Sequence, residues 1–264
     1  MARGFLDVWQ YRGFIFSSIV SEFKIKFSRS KLGAFWMILQ PLSQVVIYAL
    51  ILSTVMGARL PNVNNQYAYA LYLLSGTLAW TYFNEIVTRC LTLFVEKANL
   101  LKKMQFPRIT LLLIVIGSAL FNQLMLFLAI IFIFMFLGYF SVQIFIWLPV
   151  VMLANTLLAT GIGLILGVLN VFMRDLTHMV PILMQLLFWA TPIVYPLTII
   201  PEHLRYLLQF NPLCSVIQSY QNLFLYHQMP ALSQVMVMGV FSLLILMLGI
   251  FIFRRASPEM ADVL

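Results

Sequence analysis

The sequence has 264 residues, of which 62% are apolar and only 9% are charged, and its mean hydropathy is +0.98. This balance excludes a water-soluble globular fold and indicates a protein that lies mostly within a lipid bilayer. The net charge of +8 does not indicate nucleic-acid binding, because the sixteen Lys and Arg residues stand in short groups between long apolar runs.

The N-terminal residues 15–31 are too polar to cross a membrane, but their apolar and polar side chains alternate at helical spacing. The apolar positions are Phe16, Ile19, Val20, Phe23 and Phe27. This pattern predicts a basic amphipathic helix in the cytoplasmic headgroup layer. The alternative is a simple basic flank that only sets the orientation of the first span.

Six apolar stretches are each long enough to cross the hydrocarbon core as a helix, which takes roughly 20 residues. They are 33–56, 67–95, 108–137, 144–172, 176–196 and 231–253. Because a helix pairs its backbone polar groups internally, as lipid requires, the sequence predicts an all-α integral membrane protein with six transmembrane helices. We expect a transmembrane domain at 32–253 between the N-terminus at 1–31 and a tail at 254–264.

The basic residues indicate the orientation of this domain. With the N-terminus inside, thirteen of the sixteen Lys and Arg lie on cytoplasmic segments, while Arg59 and Arg205 lie outside and Arg89 lies within a span. This asymmetry predicts that both termini are cytoplasmic. No small-residue cleavage site follows a short apolar core, so we expect a retained first span and no cleaved signal peptide.

Two short helix-like pieces, 201–210 and 213–227, separate the fifth stretch from the sixth. Prolines punctuate this region, and neither piece is long enough to span. We expect an external or re-entrant helical hairpin before the last span.

The sequence contains few of the residue patterns that indicate a catalytic site. It contains no phosphate-binding loop of the GxxxxGK[ST] type, so energy from ATP has to come from a separate subunit. The acidic residues and the three histidines are scattered along the chain, and the two cysteines resemble neither a metal site nor a disulfide framework. We expect a non-catalytic chain that binds no cofactor or metal.

Polar residues inside the predicted spans are candidates for function. Glu85 and Arg89 share one helix face, and they either neutralise each other or form a gate contact or a proton-coupled step. Gln40 and Gln44 either line a water-filled path or bond neighbouring helices. Gly163 and Gly167 form a small-xxx-small pair, which favours close helix packing.

Aromatic rings are abundant, and their flat apolar faces fit the C–H faces of sugar rings. For any one of them an interfacial belt or lipid-facing packing is the alternative. With the polar residues above, the predicted substrate path consists of Trp36, Gln40, Gln44, Trp80, Tyr82, Phe83, Glu85, Arg89, Trp189 and Tyr195.

Several segments together resemble the ABC-2 type permeases that export O-antigen, teichoic acid and capsular polysaccharide. They are FKIKFSRSKLGAFWMILQPL at 23–42, NLLKKMQFPR at 99–108, NVFMRDLTH at 170–178, TPIVYPLTIIPEHLRYLLQFNPL at 191–213 and the closing FRRASPEMADVL. The resemblance covers nearly the whole chain in the expected order. The FPR that ends the 99–108 segment resembles O-antigen and teichoic acid permeases more than the capsule branch of the family.

The resemblance implies a homodimer in the bacterial inner membrane, with two ATP-binding cassette subunits that hold ATP and magnesium. It implies export of an undecaprenyl-diphosphate-linked O-antigen; capsular polysaccharide or teichoic acid, a drug or small lipid, and proton-coupled secondary transport are the alternatives. The segments that would dock on the ATPase are Asn99, Leu100, Leu101, Lys102, Lys103, Phe106, Pro107 and Arg108, and Arg174, Asp175, Leu176, Thr177 and His178. Lys24, Lys26, Arg29 and Lys31 would help to attract the diphosphate.

Overall fold

The computed structural model describes residues 11–28, 68–98, 108–136, 143–201 and 211–263, with isolated positions at 35–47, 100 and 203–208. Seven α-helices lie in these ranges: α1 (Arg12–Ser28), α2 (Ala68–Glu96), α3 (Ile109–Phe136), α4 (Gln143–Phe172), α5 (Leu176–Ala190), α6 (Pro212–Gln221) and α7 (Leu232–Val263). A 3-10 turn (Leu197–Ile199) follows α5, and a π-helical turn (Asn222–Tyr226) continues α6. Within the described residues the chain has no strand, which confirms the predicted all-α class.

Among the described residues, three helices are long and apolar enough to cross a membrane, namely Ile109–Phe132 in α3, Ile144–Phe172 in α4 and Leu232–Met260 in α7. The predicted first span at 33–56 lies mostly outside the described residues. Helix α2 covers the predicted second stretch, but it carries more polar residues. It is also buried along most of its length by the other helices. A helix enclosed by protein has little need of the apolar surface that lipid requires, which accounts for its composition.

Helix α5 ends earlier than the sequence predicts. The apolar stretch 176–196 is helical only to Ala190, and the fifteen residues of α5 span about 22 Å, less than the roughly 30 Å of a hydrocarbon core. Pro192 and Pro196 lack a backbone N–H and cannot continue the helix. The predicted boundary at 196 therefore exceeds the helix by six residues.

The segment after α5 is held in place by side chains from two other helices. Tyr69 donates a hydrogen bond to the Val194 carbonyl, and Tyr72 donates to the Pro192 carbonyl over 3.0 Å. Gln221, at the end of α6, donates to the same Pro192 carbonyl over 3.0 Å. These bonds satisfy backbone carbonyls that the break in the helix leaves without partners, so a non-helical turn can be buried here.

The central helix α4 packs against α2 and α7 through two glycine faces. A Cβ atom at Gly163 would lie 2.7 Å from Cys90 Cβ, and one at Gly167 would collide with the Cys90 carbonyl oxygen. On its other face, a Cβ at Gly161 would lie 2.7 Å from the Leu246 backbone nitrogen. The close-packing prediction for Gly163 and Gly167 is confirmed, because only hydrogen fits at these contacts.

Candidate functional site

Helix α1 lies against α3 and confirms the helix predicted at the N-terminus, although it begins at Arg12. Ile19 fits over Gly117, where a Cβ atom would collide with it, and Phe23 meets the edge of Phe121. The predicted apolar stripe is wrong at Phe16, which is 71% exposed. The face that packs on the bundle includes the acidic Glu22 instead, because α3 offers polar partners there.

A cluster of charged and polar side chains joins α1, α2 and α3. Arg89 Nη2 lies 2.6 Å from Glu22 Oε2, and Arg89 Nη1 lies 3.6 Å from Glu85 Oε1. Ser118 donates a hydrogen bond to Glu22 over 2.8 Å, and Asn122 donates to Glu85 over 2.5 Å. The predicted pair of Glu85 and Arg89 is present, but Glu22 is the nearer partner.

Glu22 is the most informative residue that the sequence prediction missed. A signal was available: Glu22 lies three residues after Ile19 and next to Phe23, so the three share one helix face. An acidic residue on the packing face of a helix calls for a cationic partner. Choosing that partner from the sequence was not possible, since Arg89 is 67 residues away.

A groove of about 290 Å³ between α2 and α5 is lined by aromatic and amide side chains. Trp80, Asn84 and Thr88 project from α2 at intervals of four residues, while Gln185 and Trp189 project from α5. Trp80 is mostly buried and packs on Phe188, whereas Trp189 is 49% exposed. The groove thus combines ring faces with hydrogen-bonding groups.

The other predicted path residues are dispersed. Tyr82 and Phe83 are 1% exposed and lie in the core, where the Tyr82 hydroxyl is 2.8 Å from the Thr156 hydroxyl, so neither reaches the groove. Tyr195 donates a hydrogen bond to the Trp189 carbonyl and is half-buried. Trp36 is exposed, and Gln40 and Gln44 lie outside the described residues.

The turn between α4 and α5 contains the second predicted coupling segment. Arg174, Asp175 and His178 are exposed, while Leu176 is buried and Thr177 is half-buried. The Asp175 side chain makes no capping hydrogen bond to α5.

Asn170 connects this turn to α2. Its side chain accepts a hydrogen bond from the Thr177 hydroxyl over 2.9 Å and donates one to the Leu91 carbonyl over 3.0 Å. The turn is therefore hydrogen-bonded through Asn170 to α2.

The first predicted coupling segment is described at only two positions, Leu100 and Arg108. Leu100 is half-buried, and Arg108 donates hydrogen bonds to the Ser257 carbonyl and, over 2.7 Å, to the Ser257 hydroxyl. The end of this segment is thereby fastened to the last turns of α7. The remaining members, Asn99, Leu101, Lys102, Lys103, Phe106 and Pro107, lie outside the described residues.

Of the four cations predicted to attract a diphosphate, Lys24 is exposed on α1. Lys26 belongs to the same helix by its backbone, and Arg29 and Lys31 lie outside the described residues.

Comparison with known proteins gives consistent matches over the whole chain. The sequence model of the ABC-2 type transporter family matches residues 14–225. The O-antigen export system permease protein RfbA of Myxococcus xanthus is 31% identical over 99% of both chains, and a protein of that name from Klebsiella pneumoniae is 28% identical over 96% of both. The polysialic acid transport protein KpsM of Escherichia coli is 23% identical over 90% of this chain and 92% of its own.

Proposed function

The chain belongs to the ABC-2 type transporter family, and from that premise we propose that it is the membrane-spanning permease of an O-antigen exporter. The observation that carries this proposal is the identity of 31% to an O-antigen export permease over 99% of both chains, against 23% to the polysialic acid transport protein. The chain is thus more similar to the O-antigen export permease than to the polysialic acid transport protein.

The proposed assembly is a homodimer of six-span subunits in the inner membrane, with both termini cytoplasmic and an external re-entrant hairpin before α7. The three apolar helices and the buried α2 support four of the six spans. The apolar residues of α6 also support this architecture, because Val216, Ile217 and Tyr220 are fully buried against the bundle.

Because this chain lacks a phosphate-binding loop, two separate ATP-binding subunits supply the energy. They would contact the exposed turn at Arg174–His178 and the segment at 99–108. The substrate is a glycan carried on undecaprenyl diphosphate, and Lys24, Lys26, Arg29 and Lys31 help to attract its diphosphate.

Deletion of the gene tests the proposed function. We expect lipid-linked O-antigen to accumulate on the cytoplasmic side and surface O-antigen to disappear, with recovery on expression of this chain together with its ATP-binding partner. Co-purification should yield a complex whose ATPase activity depends on this chain. Normal surface glycan in the deletion strain would contradict the substrate, and transport driven by pH without an ATPase would contradict the mechanism.

The groove between α2 and α5 is the proposed place where the glycan passes. Trp189→Ala should lower the export rate roughly two- to tenfold, the range expected for loss of an aromatic contact, and Trp189→Phe should retain most of it. The rate of appearance of surface glycan measures this effect. Phe251→Ala on α7 is the matched control, because Phe251 is similarly exposed at 60%. An equal loss in both alanine variants would show that Trp189 has no special part in the path.

A further inference from the structure

Arg89 lies between two carboxylates that belong to different helices. Glu22 is on α1, at 2.6 Å, while Glu85 is on the same helix as Arg89, at 3.6 Å. The three side chains are 28–38% exposed, so this cluster lies at an open edge of the bundle. One guanidinium therefore has one partner across a helix interface and another within its own helix.

Among the described residues, helix α1 is attached to the bundle by a narrow strip of contacts. Ile15 and Ile19 pack on the core, whereas Phe16 and Ile25 are more than 70% exposed. Grooves of about 460 and 470 Å³ flank α1 and share Glu22, Ile25 and Arg89 among their lining residues. An element whose interface with the described helices is small, and which has a groove on each side of it, is typical of the low-stability part of a fold.

The position of Glu85 lowers the cost of separating α1 from the bundle. An arginine left without a partner at membrane depth is expensive. Glu85, four residues before Arg89, has the favourable order for an acid and a base on one helix, and only a short side-chain movement would close their distance of 3.6 Å. Asn122, which donates to Glu85, holds that carboxylate in place.

We propose that Arg89 is a two-position latch, which holds α1 through Glu22 in the state seen here and transfers to Glu85 when α1 moves away during transport. This proposal rests on the proposed export function. In it, Arg89, Glu22 and Glu85 are positioning residues for α1 and do not touch the glycan.

Cysteine cross-linking between α1 and α3 can measure the docked state directly. A Cβ atom at position 117 would lie 3.4 Å from Ile19 Cγ1, so the pair Ile19→Cys and Gly117→Cys is placed to form a disulfide. The second pair is Phe23→Cys with Phe121→Cys, whose native ring centroids lie 4.8 Å apart. A short bifunctional reagent would join these two cysteines. The native Cys90 and Cys214 are both buried, and burial raises the pKa of the Cys214 thiol to about 12, so they contribute little background.

The experiment uses membranes that contain the whole exporter. Glu22→Gln should lower the ratio of docked to undocked α1 roughly two- to fivefold, as expected for a partly exposed ion pair, in both cysteine pairs. Glu85→Gln should leave the extent of cross-linking unchanged or raise it, because Arg89 then lacks its alternative partner. The same variant should still slow export. Cross-linking itself should stop export, and reduction of the disulfide should restore it.

Three results would overturn the latch: unchanged cross-linking in Glu22→Gln, the same decrease in Glu85→Gln as in Glu22→Gln, or continued export by the cross-linked protein. Because cross-linking is measured without any glycan, the first two outcomes are independent of the proposed substrate. If the substrate assignment failed, the deletion strain would show it while the cross-linking pattern remained.

Discussion

Reversal of both charges at the turn between α4 and α5, in the variant Arg174→Glu with Asp175→Arg, should abolish O-antigen at the cell surface while the protein remains in the membrane. Both side chains are exposed, and the Asp175 carboxylate does not cap α5. Their charges are therefore accessible to the ATP-binding subunit that is proposed to dock at this turn. Reversing charges in such an interface places like charges together, which costs several kcal/mol and should lower export at least about tenfold.

The anchoring of this turn explains why a local change should have a large effect on transport. Asn170 joins Thr177 of the turn to the Leu91 carbonyl of α2, so the turn is hydrogen-bonded to the helix that carries Arg89. Asn170 is 1% exposed, and loss of its amide would remove both of these hydrogen bonds. The turn is thus linked through Asn170 to the core of the bundle.

The measurement compares surface glycan, membrane protein level and co-purified ATPase subunit. The matched control is Arg255→Glu with Glu259→Arg, which reverses an exposed pair on α7 and keeps the net charge. We expect the control to export normally and the Arg174 and Asp175 variant to lose both export and the ATPase subunit. Full export by the latter variant would exclude this turn as the coupling contact.

Gly167→Val should prevent accumulation of folded protein. A Cβ at Gly167 would collide with the Cys90 carbonyl oxygen, and backbone cannot move aside as a flexible side chain can. The cost should reach or exceed the upper end of the about 1–3 kcal/mol that is usual for overpacking. Gly239→Val on α7 is the matched control, because a Cβ there meets nothing within 4 Å.

A second comparison distinguishes side-chain from backbone contact at the same interface. At Gly163 the nearest atom to an added Cβ is Cys90 Cβ, at 2.7 Å, so Cys90→Gly should partly rescue Gly163→Ala. The same substitution should not rescue Gly167→Ala, which meets the Cys90 carbonyl. The rescue of each variant is measured by its protein level in the membrane and its thermal stability in detergent. Rescue of both variants would show that the helices shift apart easily and that this contact is not rigid.

The class of the protein and most of its helices could be predicted from the sequence, because apolar runs of membrane-spanning length are local features. The stretches 67–95, 108–137, 144–172 and 231–253 correspond closely to α2, α3, α4 and α7. The end of α5 has a local signal in Pro192 and Pro196, but the burial of the apolar turn after it depends on Tyr69, Tyr72 and Gln221, which are distant in sequence.

In the candidate site too, local features could be predicted from the sequence and contacts between distant helices could not. Glu85 and Arg89 could be paired from the sequence, since four residues on a helix place side chains together. Trp80 and Trp189 could only be named as aromatics, because no local rule reveals that α2 and α5 bring them to one groove. Tyr82 is also an aromatic residue of the predicted path, but its side chain is buried in the core.

Hydropathy and motif order depend on residues that are near one another in the chain, so they are enough to predict a helical membrane protein of the ABC-2 type. The pairing of Arg89 with Glu22, the hydrogen bonds from Arg108 to Ser257 and the groove shared by Trp80 and Trp189 are seen only in the folded chain. Those facts depend on how helices distant in sequence pack together, and packing is a property of the whole set of surfaces that meet.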